Sequence, residues 1–301
     1  MRRAKTNRLI RQRREYGMKN LLLATDLAAE SDRAFEQAIS LAAMLKSRLH
    51  IVHVCPPYPA GQTALDLKKS AEDAIRGYLE SFSAASSLKV VITVLAAREI
   101  YAEIIEQAER TNVGLIVMGM HGKARLLDMF VGTTIERVIR KGIKPVLMVK
   151  EKPLGGYENV LVGTDFTGGS KQALQLGAEL APQSHIHLRH YYDIPDTYIG
   201  DKISQFAGDV IARQAHQRLV KFAKENSVVL KKFGVDPQRF EYRSGQGAAY
   251  PTLVEEAVAL KADLIAIGTH SHPSLLPNKI GGTARQILTN PPCDVLVAKG
   301  L

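Results

Sequence analysis

Short apolar runs alternate with longer stretches in which apolar residues recur every three or four positions, starting at Leu21 and continuing to the end of the chain. Leu21 to Thr25 reads as a buried strand, and Ser31 as the cap of a helix that places Phe35, Ala38, Ile39, Ala42 and Leu45 on one face. Leu49 to Val54 predicts a second strand, stopped by Pro56-Pro57. A polar helix over about Leu65 to Phe82 follows, then a strand from Val90 to Leu95. Ile100, Ile104, Ile105 and Ala108 share one face of a helix from Ile100 to Glu109, which leads to strand Leu115 to Met118. A last helix around Thr134 to Arg140 precedes strand Val146 to Val149. Strands that alternate with helices imply parallel pairing and right-handed crossovers, an α/β architecture.

The same unit is then written a second time. Leu161-Val162-Gly163-Thr164-Asp165 answers Leu22-Leu23-Ala24-Thr25-Asp26 at an offset of 139. Leu264 to Gly268 answers Leu115 to Gly119 at an offset of 149, and Asp294 to Val297 answers Pro145 to Met148 at that offset. The ten extra residues of the second copy are expected in a longer helix between Gly200 and Asn226. Pro153-Leu154-Gly155-Gly156 is the expected linker. The chain thus divides into a tail, 1–17, a first domain, 18–152, and a second, 153–301.

Composition narrows the class. Of 301 residues, 46% are hydrophobic and 23% charged, a globular balance. No apolar run approaches the roughly 18 residues that cross a bilayer. Cys55 and Cys293 lie in different halves, which excludes a disulfide framework and a thiolate zinc site and suits a reducing, cytoplasmic compartment. The net charge of +10 is concentrated in the tail, where seven basic residues face Glu15 alone and supply six of the ten charges. A basic arm of this kind can neutralise phosphates of nucleic acid or an anionic membrane. Met18 to Leu23, however, reads as a natural chain start, so the tail is expected to be an upstream extension of no functional weight. An organelle-targeting role stays open, and nucleic-acid binding is not expected elsewhere.

In an open parallel sheet, ligands bind beyond the carboxyl ends of the strands, where strand order reverses. After the fourth strand comes Gly119-Met120-His121-Gly122, then nine residues, then Gly132-Thr133-Thr134 opening a helix. Glycines there allow a backbone to approach an anion, and the helix start offers free amides and hydroxyls for phosphate. Met118 ends the fourth strand. Thr25 and Asp26 end the first strand at the same edge, where the carboxylate can accept from ribose hydroxyls. Val54 ends the second strand, where backbone groups can meet a flat base.

The spacing G-x2-G-x9-G-[ST], with a strand-ending Asp, resembles the universal stress protein family in its ATP-binding branch. The opening Thr25-Asp26-Leu27 with Ser31, and the closing Lys144 to Val149, are also similar to that family's ends. The resemblance covers residues 18–301 in two copies. It implies two tandem doubly wound, five-stranded parallel domains of the adenine nucleotide α-hydrolase-like kind, paired through Val146 to Val149 and Val295 to Val297 as an intrachain pseudo-dimer. It also implies ATP, with Mg2+ as a possible companion, held in the first copy: ribose on Asp26, adenine on the Val54 backbone, phosphates on Gly119, Gly122, Gly132, Thr133 and Thr134. His121 is placed to touch phosphate. The implied role is in stress survival, with a protein partner that the sequence does not identify; association of whole chains stays open.

The second copy departs from the pattern. Asp165, Gly268 and Gly281 match, and Thr167 and Ser170 suit the turn after Asp165. Ser271 stands where the second glycine belongs, Gly282 replaces the hydroxyl residue, and Tyr191 replaces Val54, with Thr283 able to restore a hydroxyl. Asp165, Tyr191, Gly268, Gly281 and Thr283 therefore form a degenerate second site. No GxxxxGK[ST] loop occurs. Gly245-Gln246-Gly247 lacks a dinucleotide fingerprint's last glycine and is expected to be a tight turn. His190, His270 and His272 lie at the predicted edge, but no carboxylate is fixed beside them by spacing, so no metal site is assigned. Asp128 and His121 are loop candidates for handling a water, and neither is placed by an established spacing. The reading is a nucleotide-binding regulatory protein, at most a slow ATPase. Its competitor is a nucleotide-free scaffold whose second domain binds a different ligand or a protein.

Overall fold

Leu21, Leu22 and Leu23 are all fully buried, and this requires packing on both faces of the strand that carries them. That strand, β1 (Asn20–Thr25), lies at the centre of a parallel sheet in a computed structural model of the chain. The structure describes residues 18–28, 31–57, 64–120, 133–152, 155–194, 202–269 and 280–300. The chain separates into two compact units, with the division between Gly156 and Tyr157.

In the first unit, β1 is followed by α1 (Asp32–Leu45), β2 (Arg48–Cys55), α2 (Ala64–Glu80), β3 (Val90–Ala96) and α3 (Ile100–Arg110). β4 (Leu115–Gly119), α4 (Thr134–Lys141) and β5 (Val146–Val149) complete it. Its strands are ordered β3-β2-β1-β4-β5, and each neighbouring pair is parallel. The order reverses between β1 and β4, so the chain leaves these two strands in opposite directions and a crevice opens beyond their carboxyl ends.

The second unit repeats the arrangement: β6 (Asn159–Gly163), α5 (Gly168–Leu180), β7 (His185–Tyr192), α6 (Lys202–Phe233), β8 (Phe240–Gln246), α7 (Ala249–Ala259), β9 (Leu264–Gly268), α8 (Gly282–Thr289) and β10 (Asp294–Ala298). Its order is β8-β7-β6-β9-β10. The extra length falls where it was expected: α6 has 32 residues against 17 in α2. It extends beyond Asn226 to Phe233 because Leu230 continues the buried stripe set by Leu219, Phe222 and Ala223.

Register makes the two copies comparable residue by residue. Leu21 pairs with Leu49 and Val160 with Ile186, so Val52, His53 and Val54 correspond to Arg189, His190 and Tyr191. In the same way Leu49 pairs with Val90 and Ile186 with Phe240, so Val91 and Leu95 correspond to Glu241 and Gly245.

One correction concerns the start of α1. Ser31 occupies the cap position but makes no side-chain cap bond. Its backbone is already helical, at φ −78° and ψ −10°, where a cap residue is normally extended, and its hydroxyl donates to Asp26 Oδ1 at 2.5 Å.

Candidate functional site

The turn that follows each central strand is the first part of the site. Thr25 Oγ1 accepts from the Leu27 amide at 3.1 Å, and Asp26 Oδ1 accepts from the Ala28 amide at 3.1 Å. The second copy repeats both bonds with Thr164 and Phe166 at 3.0 Å, and with Asp165 and Thr167 at 3.0 Å. The residue between is forced left-handed: Leu27 has φ 60° and Phe166 φ 68°. The Thr-Asp pair thus turns the chain sharply and holds one carboxylate at the sheet edge. These are Asx-type turns, which Asp makes readily.

In the first copy a cavity of about 170 Å3 opens at this edge. It gathers Thr25, Asp26, Val54, Met118, Gly119 and Thr134, six of the ten residues singled out from the sequence. Thr133 sits beside it as the cap of α4, and its hydroxyl accepts from the Glu136 amide at 3.1 Å. His121, Gly122 and Gly132, together with Asp128, lie outside the described residues.

The cavity walls are the part that pattern reading missed. Val52, Ile100, Ile104 and Ile135 line it alongside Val54 and Met118. Ile100 and Ile104 are one turn apart, so periodicity puts them on the buried face of α3, but it does not tell core from cavity wall. The result is an aliphatic slot with a polar rim of Thr25, Asp26, Ser31 and Thr134. Such a slot suits a flat, weakly polar group on one side and a hydroxyl-bearing group on the other.

The second copy has a cavity of about 180 Å3 at the equivalent edge, lined among others by Thr164, Asp165, Arg189, His190, Tyr191, Gly268 and Thr283. All five residues assigned to the degenerate site, Gly281 included, line it. Arg189 and Tyr191 stand in its lining where the first has Val52 and Val54, while Leu253 and Ile267 keep the opposite wall apolar. Arg189, only 3% exposed, donates through Nε to Glu256 Oε1 at 2.6 Å and through Nη2 to Glu241. Tyr191 donates its hydroxyl proton to Glu256 Oε2. Burial, reinforced by Glu256, pushes the Tyr191 phenol well above its ordinary range, so it keeps its proton. The Arg189 and His187 bonds hold Glu241 down to about 2.

His190 is tied to the turn, with Nδ1 2.8 Å from the Thr164 carbonyl and its ring 4.3 Å from that of Phe166. Burial lowers its pKa, against the opposing pull of that carbonyl. His270, Ser271, His272, Pro273 and Pro277 lie outside the described residues. Gly268 has a packing reason of its own. A Cβ there would lie 2.8 Å from the Ser170 amide nitrogen, because the start of α5 presses onto the strand end. The tight turn expected at Gly245-Gln246-Gly247 is corrected: Gly245 and Gln246 end β8 in register with Tyr191 and Tyr192, the Gly247 amide continues that ladder to the Tyr192 carbonyl at 3.0 Å, and only Gly247, at φ +142°, leaves the strand. Among the described residues no helix is long and apolar enough to cross a membrane, and no group of three or more His, Cys, Asp or Glu converges on a metal position.

Comparison with known proteins agrees with the duplication. The model of the universal stress protein family matches residues 17–150 and again 156–299. Universal stress protein E of Salmonella typhi is 24% identical over 237 residues, covering 74% of this chain and 70% of that protein. Universal stress protein MJ0577 of Methanocaldococcus jannaschii is 46% identical over 52 residues, which is 17% of this chain and 32% of the relative. Among solved structures, a functionally unknown protein, PA1789, from Pseudomonas aeruginosa PAO1 superposes with a TM-score of 0.66 at 20% identity, covering 94% of this chain and 93% of its own.

Proposed function

The chain belongs to the universal stress protein family, and we propose that its first copy binds ATP while the chain acts as a stress-response regulator whose conformation or partner binding follows nucleotide occupancy. One observation carries this reading. The switch-point cavity brings the strand-ending Thr25 and Asp26, the β2 residue Val54, the β4 end at Met118 and Gly119, and the α4 start at Thr134 around one space. With Ile100 and Ile104 of α3, residues from five separate elements converge there, and their chemistry divides as a nucleotide's does.

Val52, Val54, Ile100 and Ile104 would sandwich adenine, with the Val54 backbone serving its edge. Asp26 would accept from the ribose hydroxyls. Its Oδ1 is already held by Ala28 and Ser31, so the carboxylate is oriented before a ligand arrives. Gly119, Thr133 and Thr134 would receive phosphate at the positive end of α4, with Gly122 and Gly132 completing the cradle that the family's spacing implies. Mg2+ would travel with the phosphates.

Thermal or urea unfolding with and without ATP tests the reading. A ligand at a hundredfold excess over its dissociation constant stabilises by about 2.7 kcal/mol. Asp26→Ala should remove most of that gain and leave the unliganded unit folded. Extraction of the purified protein followed by mass analysis would report bound nucleotide and its phosphate number. A protein that carries no nucleotide and gains no stability at millimolar ATP refutes the reading.

A further inference from the structure

The two cavities are alike in size and position, yet the second has been rebuilt as a set. Where the first copy pairs Val54 with Leu95, the second pairs Tyr191 with Gly245. A Cβ on Gly245 would stand 3.2 Å from Tyr191 Cε1, so the tyrosine ring lies in space that a glycine leaves open. Where the first copy has Val52 and Val91, the second has Arg189 and Glu241, joined by Glu256 of α7. Three groups then satisfy one another beneath the cavity. Burying an arginine between two carboxylates gives little net stability over a well-packed apolar floor, so packing alone does not account for it.

The hydrogen-bond directions define what this floor offers. Three of the five Arg189 N–H groups are bonded, to Glu256, Glu241 and the Leu188 carbonyl. Tyr191 directs its proton to Glu256, leaving its Oη lone pairs as acceptors. His190 must donate from Nδ1, because the Thr164 carbonyl can only accept; its Nε2 is then an acceptor in the neutral ring. Asp165 accepts from the Thr167 amide and hydroxyl through Oδ1. Asp165, Tyr191 and His190 therefore present acceptors, beside the Thr283 hydroxyl, which can also donate. The charged groups acting on His190 or Tyr191 are Asp165 and Glu256 against Arg189, Arg218 and Arg243, so the site is not net negative.

We propose that the second cavity binds a hydroxyl-rich small molecule, a sugar or cyclitol, whose hydroxyls donate to Asp165, Tyr191 and His190. An ammonium ligand is disfavoured, since it would need a net negative site. The two copies would then sense different molecules, and this second site stands independently of whether the first binds ATP.

The test uses the full chain with d-ribose, d-glucose and myo-inositol as probes, read by saturation-transfer NMR and titration calorimetry. At least one probe should bind, and both Tyr191→Phe and Asp165→Asn should weaken it about tenfold, the effect of one lost hydrogen bond. Asp26→Asn in the first copy should leave sugar binding unchanged while it weakens ATP, which separates failure of this proposal from failure of the nucleotide reading. Far-UV circular dichroism confirms that each variant is folded, and the two variants act on different elements. The proposal is overturned if no probe binds, if both folded variants bind as the parent does, if Asp26→Asn removes the sugar signal, or if ATP displaces the sugar from the parent.

Discussion

Replacing Arg189 by valine, the residue found at the equivalent Val52, isolates the energetics of the rebuilt floor. The substitution removes two charge-assisted hydrogen bonds, each worth about 1.5–3 kcal/mol in a dry setting. The two are not equal here. Glu241 is 58% exposed, so its carboxylate regains water and its bond contributes about 0–1 kcal/mol. Glu256 is 16% exposed and would keep only the Tyr191 hydroxyl. Stripping one partner from a buried pair costs about 3–5 kcal/mol, and the remaining tyrosine places this case at the low end, about 3 kcal/mol. The triple change Arg189→Val, Glu241→Val, Glu256→Gln installs the first copy's own residues, Val52, Val91 and Gln107. It leaves no stranded charge and should return stability to within about 1 kcal/mol of the parent. Because a two-unit chain need not unfold in one step, the assay should be hydrogen exchange of the β7 amides Ile186 to Tyr191 along a urea series. A single variant that loses less than about 1 kcal/mol, or a triple variant worse than the single one, would refute this account of the network.

Acid should act on the same cluster. Glu241 has its folded pKa depressed from 4.5 to about 2 by Arg189 and His187. Its contribution is therefore complete above about pH 4.5 and fades as pH falls toward 2, modestly because the group is half in water. Glu241→Gln should flatten the acid limb of a stability-versus-pH curve between those values. Gly268→Ala should cost about 1–3 kcal/mol by overpacking, since the new Cβ meets the backbone of Gly169 and Ser170 below 3.0 Å; an unchanged melting temperature would show that α5 yields freely. Thr133→Ala removes the α4 cap bond and should lower stability by about 1 kcal/mol, with ATP-induced stabilisation also reduced; loss of the first without the second would detach Thr133 from the phosphate seat.

Much of the molecule was legible before its coordinates. The doubled strand–helix alternation follows from local periodicity, which depends only on neighbours along the chain. The Thr-Asp turns are local too: every bond that forms them spans two residues. Even the length of α6 could be located by counting between landmarks. Local rules also misled at Ser31, where a cap position was recognised but its hydroxyl found the carboxylate of Asp26.

What the sequence determined by itself is the repeated architecture and the sheet edge at which each cavity opens, because both arise from periodicity and strand order. What only the tertiary structure decided is the character of each cavity. The substitution of Tyr191 for Val54 is visible in the sequence, but its meaning depends on Gly245 giving it room and on Glu256, 65 positions away, accepting its hydrogen bond. Arg189 drew no notice as a lone basic residue inside a strand, and it becomes the centre of the floor only when β8 and α7 bring Glu241 and Glu256 against it. Periodicity tells which face of an element a side chain takes, while the crossover connections of the fold choose which distant side chains share that face.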